Sequence, residues 1–132
     1  MSTKSVAEKL LIKPGVAVWL APAAHQERLG SLPEGARVVE ELGQAGVAVL
    51  FADSAAAARQ LLDAHREQLA SPAVLWVAYP KANKADINRD TLWPILTEYG
   101  LRPIGQVAVD EVWSALRFRP LKEGEAPFTG GQ

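Results

Sequence analysis

The chain has 132 residues, of which 48% are hydrophobic and 22% charged, so it is long enough to fold as one domain and too apolar to be disordered. Because 14 lysines and arginines face 15 aspartates and glutamates, the net charge of −1 argues against bulk electrostatic binding to nucleic acid or to an anionic membrane. The absence of cysteine excludes disulfides, iron–sulfur clusters and a cysteine nucleophile.

The N-terminal part of the chain predicts a short helix followed by two strands. Ser5 and Glu8 have the spacing of a capping box, which predicts a helix over residues 6–12. The continuous apolar run G-V-A-V-W-L-A at 15–21 is typical of a strand that is covered on both faces. A loop with one helical turn then leads to a short strand at 36–40.

The middle of the chain predicts two further buried strands with a helix between them. Apolar runs of strand length occur at 46–52 and 73–79. Asp53 or Ser54 can cap a helix that extends to Leu69, because apolar residues recur there with a period of 3.6. Strands joined through a helix in this way are typical of a parallel sheet.

The C-terminal part predicts one more helix and a hairpin. We expect the helix over residues 92–99, with Asp90 or Thr91 as its N-cap, because the proline in this segment is tolerated only near a helix start. Strands at 103–110 and 113–120 are joined so tightly that they must pair antiparallel.

Buried strands that alternate with helices predict an α/β fold. We expect a single three-layer Rossmann-like domain over residues 1–120, with a mainly parallel sheet and a C-terminal antiparallel hairpin. Residues 121–132 are expected to form a flexible tail. The charged N-terminus does not resemble a signal peptide, and no apolar run approaches the roughly 18 residues that span a membrane, so we expect a cytoplasmic protein.

Polar side chains follow the three long buried strands, and ligands of open α/β sheets bind beyond the carboxyl ends of strands. These side chains are His25 and Arg28, next to Pro22, after the first strand; Asp53 and Ser54 after the second; and Tyr79, Lys81 and Lys84 after the third. A histidine, a carboxylate and an amine at one crevice can bind an anion or carry out acid–base chemistry. Each also has an ordinary explanation, Asp53 as a helix cap and the others as solvated loop residues.

The last strand supplies a second set of candidates. Its period-two alternation places Trp113, Arg117 and Arg119 on one face. A tryptophan beside arginines can stack on a base or clamp an anion, whereas the ordinary alternative is that arginine stems cover a half-buried tryptophan. We add Asp110, at the preceding tight turn, to the candidate binding residues.

Several cofactor and metal motifs are missing from the sequence. The turn after the first strand reads A-P-A-A-H-Q-E-R-L-G and lacks the glycines of a dinucleotide-binding turn, and no P-loop occurs, so we expect no cofactor. Two histidines cannot supply a zinc triad, and the calcium-like run D-I-N-R-D at 86–90 lacks the glycine and glutamate of a calcium loop. We therefore expect no metal.

Three motifs carry a family resemblance: K-L-L-I-K-P-G at 9–15, L-W-V-A-Y-P-K at 75–81 and D-E-V-W-S-A-L-R-F at 110–118. Together they resemble a family of small bacterial proteins that share a domain of unknown function, and this resemblance implies a bacterial, intracellular α/β protein. The layout is also similar to a shortened class I methyltransferase. It departs from that class because the glycine-rich adenosylmethionine turn is missing and only Glu40 or Glu41 can serve as the acid after the second strand.

These observations favour a non-catalytic module that binds a partner protein or a small ligand, with a homodimer as one form of association. They leave enzyme activity uncertain and favour its absence. The alternative is an enzyme or nucleotide-binding protein, a degenerate methyltransferase, that uses the carboxyl-edge crevice with His25, Asp53 and Lys81. Nucleic-acid binding through the Trp113 face is disfavoured by the net charge.

Overall fold

The computed structural model describes residues 5–81 and 87–126 of the chain. Within these residues, six strands form one sheet, accompanied by three α-helices and three short 3₁₀ helices. The strands are β1 (Ala17–Ala21), β2 (Arg37–Val38), β3 (Val47–Phe51), β4 (Val74–Pro80), β5 (Leu101–Ala108) and β6 (Trp113–Pro120). The α-helices are α1 (Val6–Lys9), α2 (Ala55–Ala64) and α3 (Arg89–Thr97). The 3₁₀ helices are Ala23–Leu29, Leu42–Gln44 and Arg66–Gln68.

The sheet has the strand order β2-β1-β3-β4-β6-β5. The first four strands in this order are parallel, β6 pairs antiparallel with β4, and β5 pairs antiparallel with β6. The prediction of a single α/β Rossmann-like domain, mainly parallel with a C-terminal antiparallel hairpin, is confirmed.

Two clusters of buried side chains cover the two faces of the sheet. On one face, Leu50 packs with side chains of α2 and α3 such as Leu62 and Leu92. On the other face, Phe51 packs with residues of α1 and of the first 3₁₀ helix, including Leu29. All five residues of β3 are buried, as expected for a strand with successive side chains in two cores.

One buried hydrogen bond joins the N-terminal helix to the sheet. The indole Nε1 of Trp76 in β4 donates to the backbone carbonyl of Leu10 at 2.9 Å. The helix ends at Lys9, earlier than predicted, and Leu11 takes a positive φ of 65° that a continuing helix does not allow.

Two predicted helix ends differ from the observed ones. The helix after β3 begins with Ser54 as its N-cap, whose hydroxyl accepts from the backbone N–H of Ala57 at 3.0 Å. It ends at Ala64 instead of residue 69, because the backbone of His65 is not helical (φ −122°, ψ 18°) and a 3₁₀ turn follows.

The cap of α3 is Asn88, not Asp90 or Thr91. The Asn88 side chain accepts from both of their backbone N–H groups, and the Thr91 hydroxyl accepts from the N–H of Asn88 in return. Because this reciprocal arrangement satisfies several free donors at once, it starts the helix earlier and leaves Pro94 inside it.

Ion pairs join the chain beyond β6 to the β5–β6 hairpin. The Glu125 carboxylate contacts the guanidinium groups of Arg119 at 2.7 Å and Arg102 at 2.9 Å. The hydrogen bond from Arg119, with a further one from the Lys122 backbone, lowers the pKa of Glu125 to about 2. The domain boundary at residue 120 stays a prediction.

Within residues 5–81 and 87–126, no helix combines the length and the apolar character that crossing a membrane requires.

Candidate functional site

The carboxyl ends of the parallel strands form one edge of the sheet, and the strand order reverses there between β1 and β3. The chain leaves β1 toward β2 on one side and leaves β3 toward β4 on the other. The 3₁₀ helix Ala23–Leu29 packs on one face and α2 on the opposite face. The two connections diverge, and we call the space between them the carboxyl-edge crevice, the place where open α/β sheets bind ligands.

Three carboxylates stand at the carboxyl-edge crevice. The parallel register of β2 against β1 brings the chain to this edge at Glu40 and Glu41, and Asp53 is the second residue after β3. All three residues are exposed. Within the described parts of the chain, none of their side chains accepts a hydrogen bond.

An aromatic cluster closes the end of β3 on the face of the 3₁₀ helix. The His25 ring stacks on Phe51 with centroids 4.6 Å apart and an interplanar angle of 12°. Trp113 meets both rings edge to face, at 5.2 Å from His25 and 5.3 Å from Phe51. His25 from the segment after β1 and Trp113 from the start of β6 therefore both pack against the end of β3.

His25 is held in its neutral form within this cluster. Its Nδ1 accepts a hydrogen bond from Nε of Arg28 at 2.9 Å, so the ring proton lies on Nε2. Partial burial lowers the pKa of His25, the nearby Arg28 charge lowers it further, and Asp53 opposes the shift.

Arg28 links the aromatic cluster to the turn between β5 and β6. Its guanidinium carbon lies 5.4 Å from the centroid of the Trp113 ring, and its Nη1 lies 3.6 Å from Oδ2 of Asp110. The other carboxylate oxygen of Asp110 accepts from the backbone N–H groups of Val112 and Trp113, each at 2.8 Å. These two backbone hydrogen bonds hold the Asp110 carboxylate with its Oδ2 toward Arg28.

The structure brings together some of the predicted site residues. His25, Trp113 and Asp110 meet through Arg28, and Asp53 lies close enough to His25 to affect its pKa. The contacts of Arg28 with Trp113 and Asp110 join distant chain segments, which explains why the sequence alone did not reveal them, whereas it did assign His25 and Asp53 to one crevice.

Other predicted site residues lie elsewhere. Tyr79 is buried on the opposite face, where its hydroxyl accepts from the Gln106 amide at 2.7 Å. Lys81 follows β4 at the carboxyl edge, where its backbone N–H donates to the Val112 carbonyl at 2.7 Å. Its side chain forms no hydrogen bond or ion pair with a described residue. Arg117 shares a face with Trp113 but stands four residues along the strand, about 13 Å away.

On the last strand, the arginine clamp and the half-buried tryptophan covered by arginine stems were the two alternatives. Arg119 pairs with Glu125, and Trp113 contacts Arg28 instead.

Lys84 and the start of the calcium-like run, Asp86, lie outside the described residues. Across the ranges the structure describes, no three histidine, aspartate or glutamate side chains are grouped so that they could hold a metal ion.

Sequence reasoning missed two residues of this region, Phe51 and Glu27. Phe51 was interpreted only as part of a buried strand, although its position as the last strand residue indicates that it borders the crevice. Glu27 lines an open depression of about 430 Å³ together with Ala24, Arg28 and Asp110. The i, i+3 spacing of His25 and Arg28 is the one signal that could have indicated their contact.

No protein-family model and no curated protein matches this sequence. Solved structures with the same architecture are nevertheless found. The structure of Streptococcus pneumoniae Sp1610, assigned as a tRNA (m1A22) methyltransferase, in complex with S-adenosyl-L-methionine is 12% identical with a TM-score of 0.55, over 98% of this chain and 77% of that chain. The B. subtilis m1A22 tRNA methyltransferase TrmK is 13% identical with a TM-score of 0.54, over 96% and 71%. A NADB-Rossmann superfamily protein from Streptococcus agalactiae is 10% identical with a TM-score of 0.58, over 98% and 72%.

These similarities correct the main functional prediction. A non-catalytic interaction module was wrong as the preferred interpretation, because the solved structures that share this fold include the B. subtilis tRNA methyltransferase and a protein assigned to that class with S-adenosyl-L-methionine bound. The methyltransferase-like layout of the alternative prediction is the fold that these structures share with the chain. At these identities the likeness establishes the fold alone, and the resemblance to the small bacterial family stays a prediction, as do the cytoplasmic location and the homodimer.

Proposed function

We propose that the protein is a methyltransferase-like enzyme that binds a nucleoside-containing ligand in the carboxyl-edge crevice, with S-adenosyl-L-methionine as the first candidate. The observation that carries the proposal is the presence of exposed carboxylates on both sides of the point where strand order reverses, at Glu40 and Glu41 and at Asp53. Their oxygens have no hydrogen-bond donor among the described residues, so a bound ligand can supply one.

The carboxylates suit the donor groups of such a ligand. A carboxylate at the end of a strand next to the reversal point can accept from ribose hydroxyl groups, as in other Rossmann-like folds. Glu40 or Glu41 would have this part, and Asp53 on the other side would attract the positive charge of a sulfonium ligand. When bound, S-adenosyl-L-methionine supplies an electrophilic methyl group.

The turn after β1 sets a limit on how the ligand binds. Pro22, Ala23 and Ala24 are exposed and carry side chains where a glycine-rich turn would let a ligand approach the backbone. The His25 ring covers Phe51 on the same side. We therefore expect the ligand to lie closer to the carboxylates than to this turn and to bind more weakly than in a protein with glycines there.

The chain offers one group for proton transfer at the crevice. His25 is a poor general base, because the lone pair on its Nδ1 already accepts from Arg28 and its Nε2 carries the proton. The exposed carboxylate of Asp53 can accept a proton from an acceptor nucleophile. Enzyme activity is part of this proposal, and it requires Asp53 more than His25.

Binding is tested by isothermal titration calorimetry of the full chain with S-adenosyl-L-methionine, S-adenosyl-L-homocysteine and adenosine. We expect all three to bind, and the variants Glu40→Gln/Glu41→Gln and Asp53→Asn to weaken binding of the first ligand about tenfold or more, the loss expected for a hydrogen bond to a charged group. Glu67→Gln is the matched control, because Glu67 is also exposed but belongs to the 3₁₀ turn before β4. Failure of the wild type to bind any nucleoside ligand, or equal weakening by the control, would contradict the proposal.

Catalysis is tested separately with the radiolabelled methyl donor and bulk bacterial tRNA as the acceptor, the substrate class in the name of the structurally similar B. subtilis enzyme. We expect incorporation of label that Asp53→Asn abolishes and Glu67→Gln leaves unchanged. Ligand binding without any methyl transfer would remove the enzyme part of the proposal and keep the nucleotide-binding part.

A further inference from the structure

The depression beside the aromatic cluster has the size of a small-molecule site. It lies between the 3₁₀ helix Ala23–Leu29 and the turn that joins β5 to β6, and its volume is about 430 Å³. The range typical of small-ligand pockets is about 300–1,000 Å³. Its lining combines one guanidinium group with two carboxylates, those of Glu27 and Asp110.

Arg28 presents unused donors to this depression. Its Nε is committed to Nδ1 of His25, which fixes the orientation of the planar guanidinium group. Its Nη1 is 3.6 Å from Oδ2 of Asp110, an ion pair that is too long for a hydrogen bond. In the described parts of the chain, neither terminal nitrogen of Arg28 donates a hydrogen bond, so the end of the fork is available to a carboxylate.

The two carboxylates keep unused acceptor capacity. Asp110 is held by two backbone N–H groups through one oxygen, while its Oδ2 accepts no hydrogen bond within the described chain. Glu27 is exposed, and its carboxylate has no hydrogen bond or ion pair to any described residue. Both can accept from an ammonium group that lies in the depression.

The mixture of charges decides which class of ligand fits. A simple anion on Arg28 is repelled by Glu27 and Asp110, and a simple cation beside these carboxylates is repelled by Arg28. A group that carries both charges a short distance apart satisfies all three side chains. The ring of Trp113 is 95% buried, and the Arg28 guanidinium carbon lies 5.4 Å from its centroid, so the side chain that would hold the carboxylate packs on a buried ring.

We propose that this depression binds an α-amino-acid group, with the carboxylate on Arg28 and the ammonium between Glu27 and Asp110. The inference uses residues other than the carboxylates of the proposed nucleoside site and does not require that site. Two sources share this chemistry, a free amino acid and the amino-acid end of a larger ligand such as S-adenosyl-L-methionine.

The test is an NMR titration of the ¹⁵N-labelled full chain, followed at the Arg28 Nε–H and Trp113 indole signals. The probes are L-methionine, L-methionine methyl ester, 3-(methylthio)propionate, adenosine and S-adenosyl-L-homocysteine. We expect L-methionine to shift both signals saturably. The ester lacks the carboxylate and the propionate lacks the ammonium, so each should bind at least tenfold more weakly. Equal affinity for either analogue and for L-methionine would overturn the inference, as would no saturable shift with L-methionine.

Variants test the assignment of the charged partners. We expect Arg28→Gln and Glu27→Gln to weaken L-methionine binding about ten- to a hundredfold. Arg59→Gln is the control, because Arg59 also forms an arginine–carboxylate pair, with Glu98 on the opposite face of the sheet. Equal weakening of L-methionine binding by Arg59→Gln would overturn the assignment of Arg28 and Glu27 as the charged partners. If Arg28→Gln disturbs folding, the ligand analogues still test the inference on the wild-type protein.

The remaining probes separate this inference from the proposed function. Adenosine binding without L-methionine binding would overturn the inference and keep the nucleoside site. L-Methionine binding without binding of adenosine or S-adenosyl-L-homocysteine would keep the inference and overturn the nucleoside site. If S-adenosyl-L-homocysteine displaces L-methionine, the depression receives the end of the larger ligand, and if both bind together it receives a free amino acid.

Discussion

At the residue scale, His25 joins the fold to the candidate site. Its ring covers Phe51, and its Nδ1 fixes the guanidinium of Arg28. The facing charged groups are Arg28, which disfavours the imidazolium form, and Asp53, which favours it. Burial is the largest influence and lowers the pKa of His25, so the folded protein holds this histidine neutral over a wider pH range than the unfolded chain does.

This pKa shift makes stability depend on pH. Because the pKa of His25 is lower in the folded state than its usual 6.5, the unfolded chain binds the proton more readily. The contribution to stability is present above about pH 6.5 and is lost as pH falls below that value. We expect His25→Phe to reduce the loss of stability between pH 7.5 and pH 5.5, measured by urea unfolding.

The second histidine provides the control for this measurement. His65 contacts Trp19 edge to face with centroids 4.6 Å apart, so His65→Phe changes a comparable aromatic contact without touching Arg28. If His65→Phe reduces the pH dependence as much as His25→Phe does, the dependence does not come from His25.

The same residues show how much of the site can be predicted from the sequence. Strand ends are marked by apolar runs, so the sequence alone is enough to assign His25, Arg28 and Asp53 to one edge of the sheet. The contact of Arg28 with Trp113 joins segments 85 positions apart, a relation that local patterns do not contain. Tyr79 was assigned to the edge by its place in the chain, but the period of two turns its side chain to the other face.

At the scale of elements, strands were predicted better than helices. The apolar runs that predicted β1, β3 and β4 fill both cores, so their positions follow from burial. Helix ends depend on single hydrogen bonds, and several residues near each end can make them. The observed caps, Ser54 for α2 and Asn88 for α3, are each one choice among neighbouring candidates.

The cap of α2 leads to a prediction that separates the roles of two adjacent residues. Ser54→Ala removes the acceptor for the Ala57 N–H and should lower the free energy of unfolding by about 1 kcal/mol. Asp53→Ala should change it little, because Asp53 makes no cap hydrogen bond and is exposed. Urea unfolding monitored by circular dichroism measures both, and a larger loss in Asp53→Ala than in Ser54→Ala would contradict the assignment.

At the scale of the whole molecule, the segment between β1 and β2 is part of the packed core. Its alanines, prolines and charges predict a loop with one helical turn, and the observed seven-residue 3₁₀ helix places Leu29 in the core on one face, with 1% of the residue exposed. The segment that carries His25 and Arg28 is therefore part of the core that folds around β3, and the candidate site rests on a packed element.

This packing predicts that the site and the core unfold together. Leu29→Ala on the 3₁₀ helix and Leu50→Ala on the opposite face each remove a buried leucine, and each should lower the free energy of unfolding by about 2–5 kcal/mol. Because both faces share the strands of one sheet, tryptophan fluorescence and far-ultraviolet circular dichroism should give a single coincident transition in both variants. If the 3₁₀ helix were only an attached loop, Leu29→Ala would change the fluorescence near Trp113 while the circular dichroism transition stayed at its wild-type position.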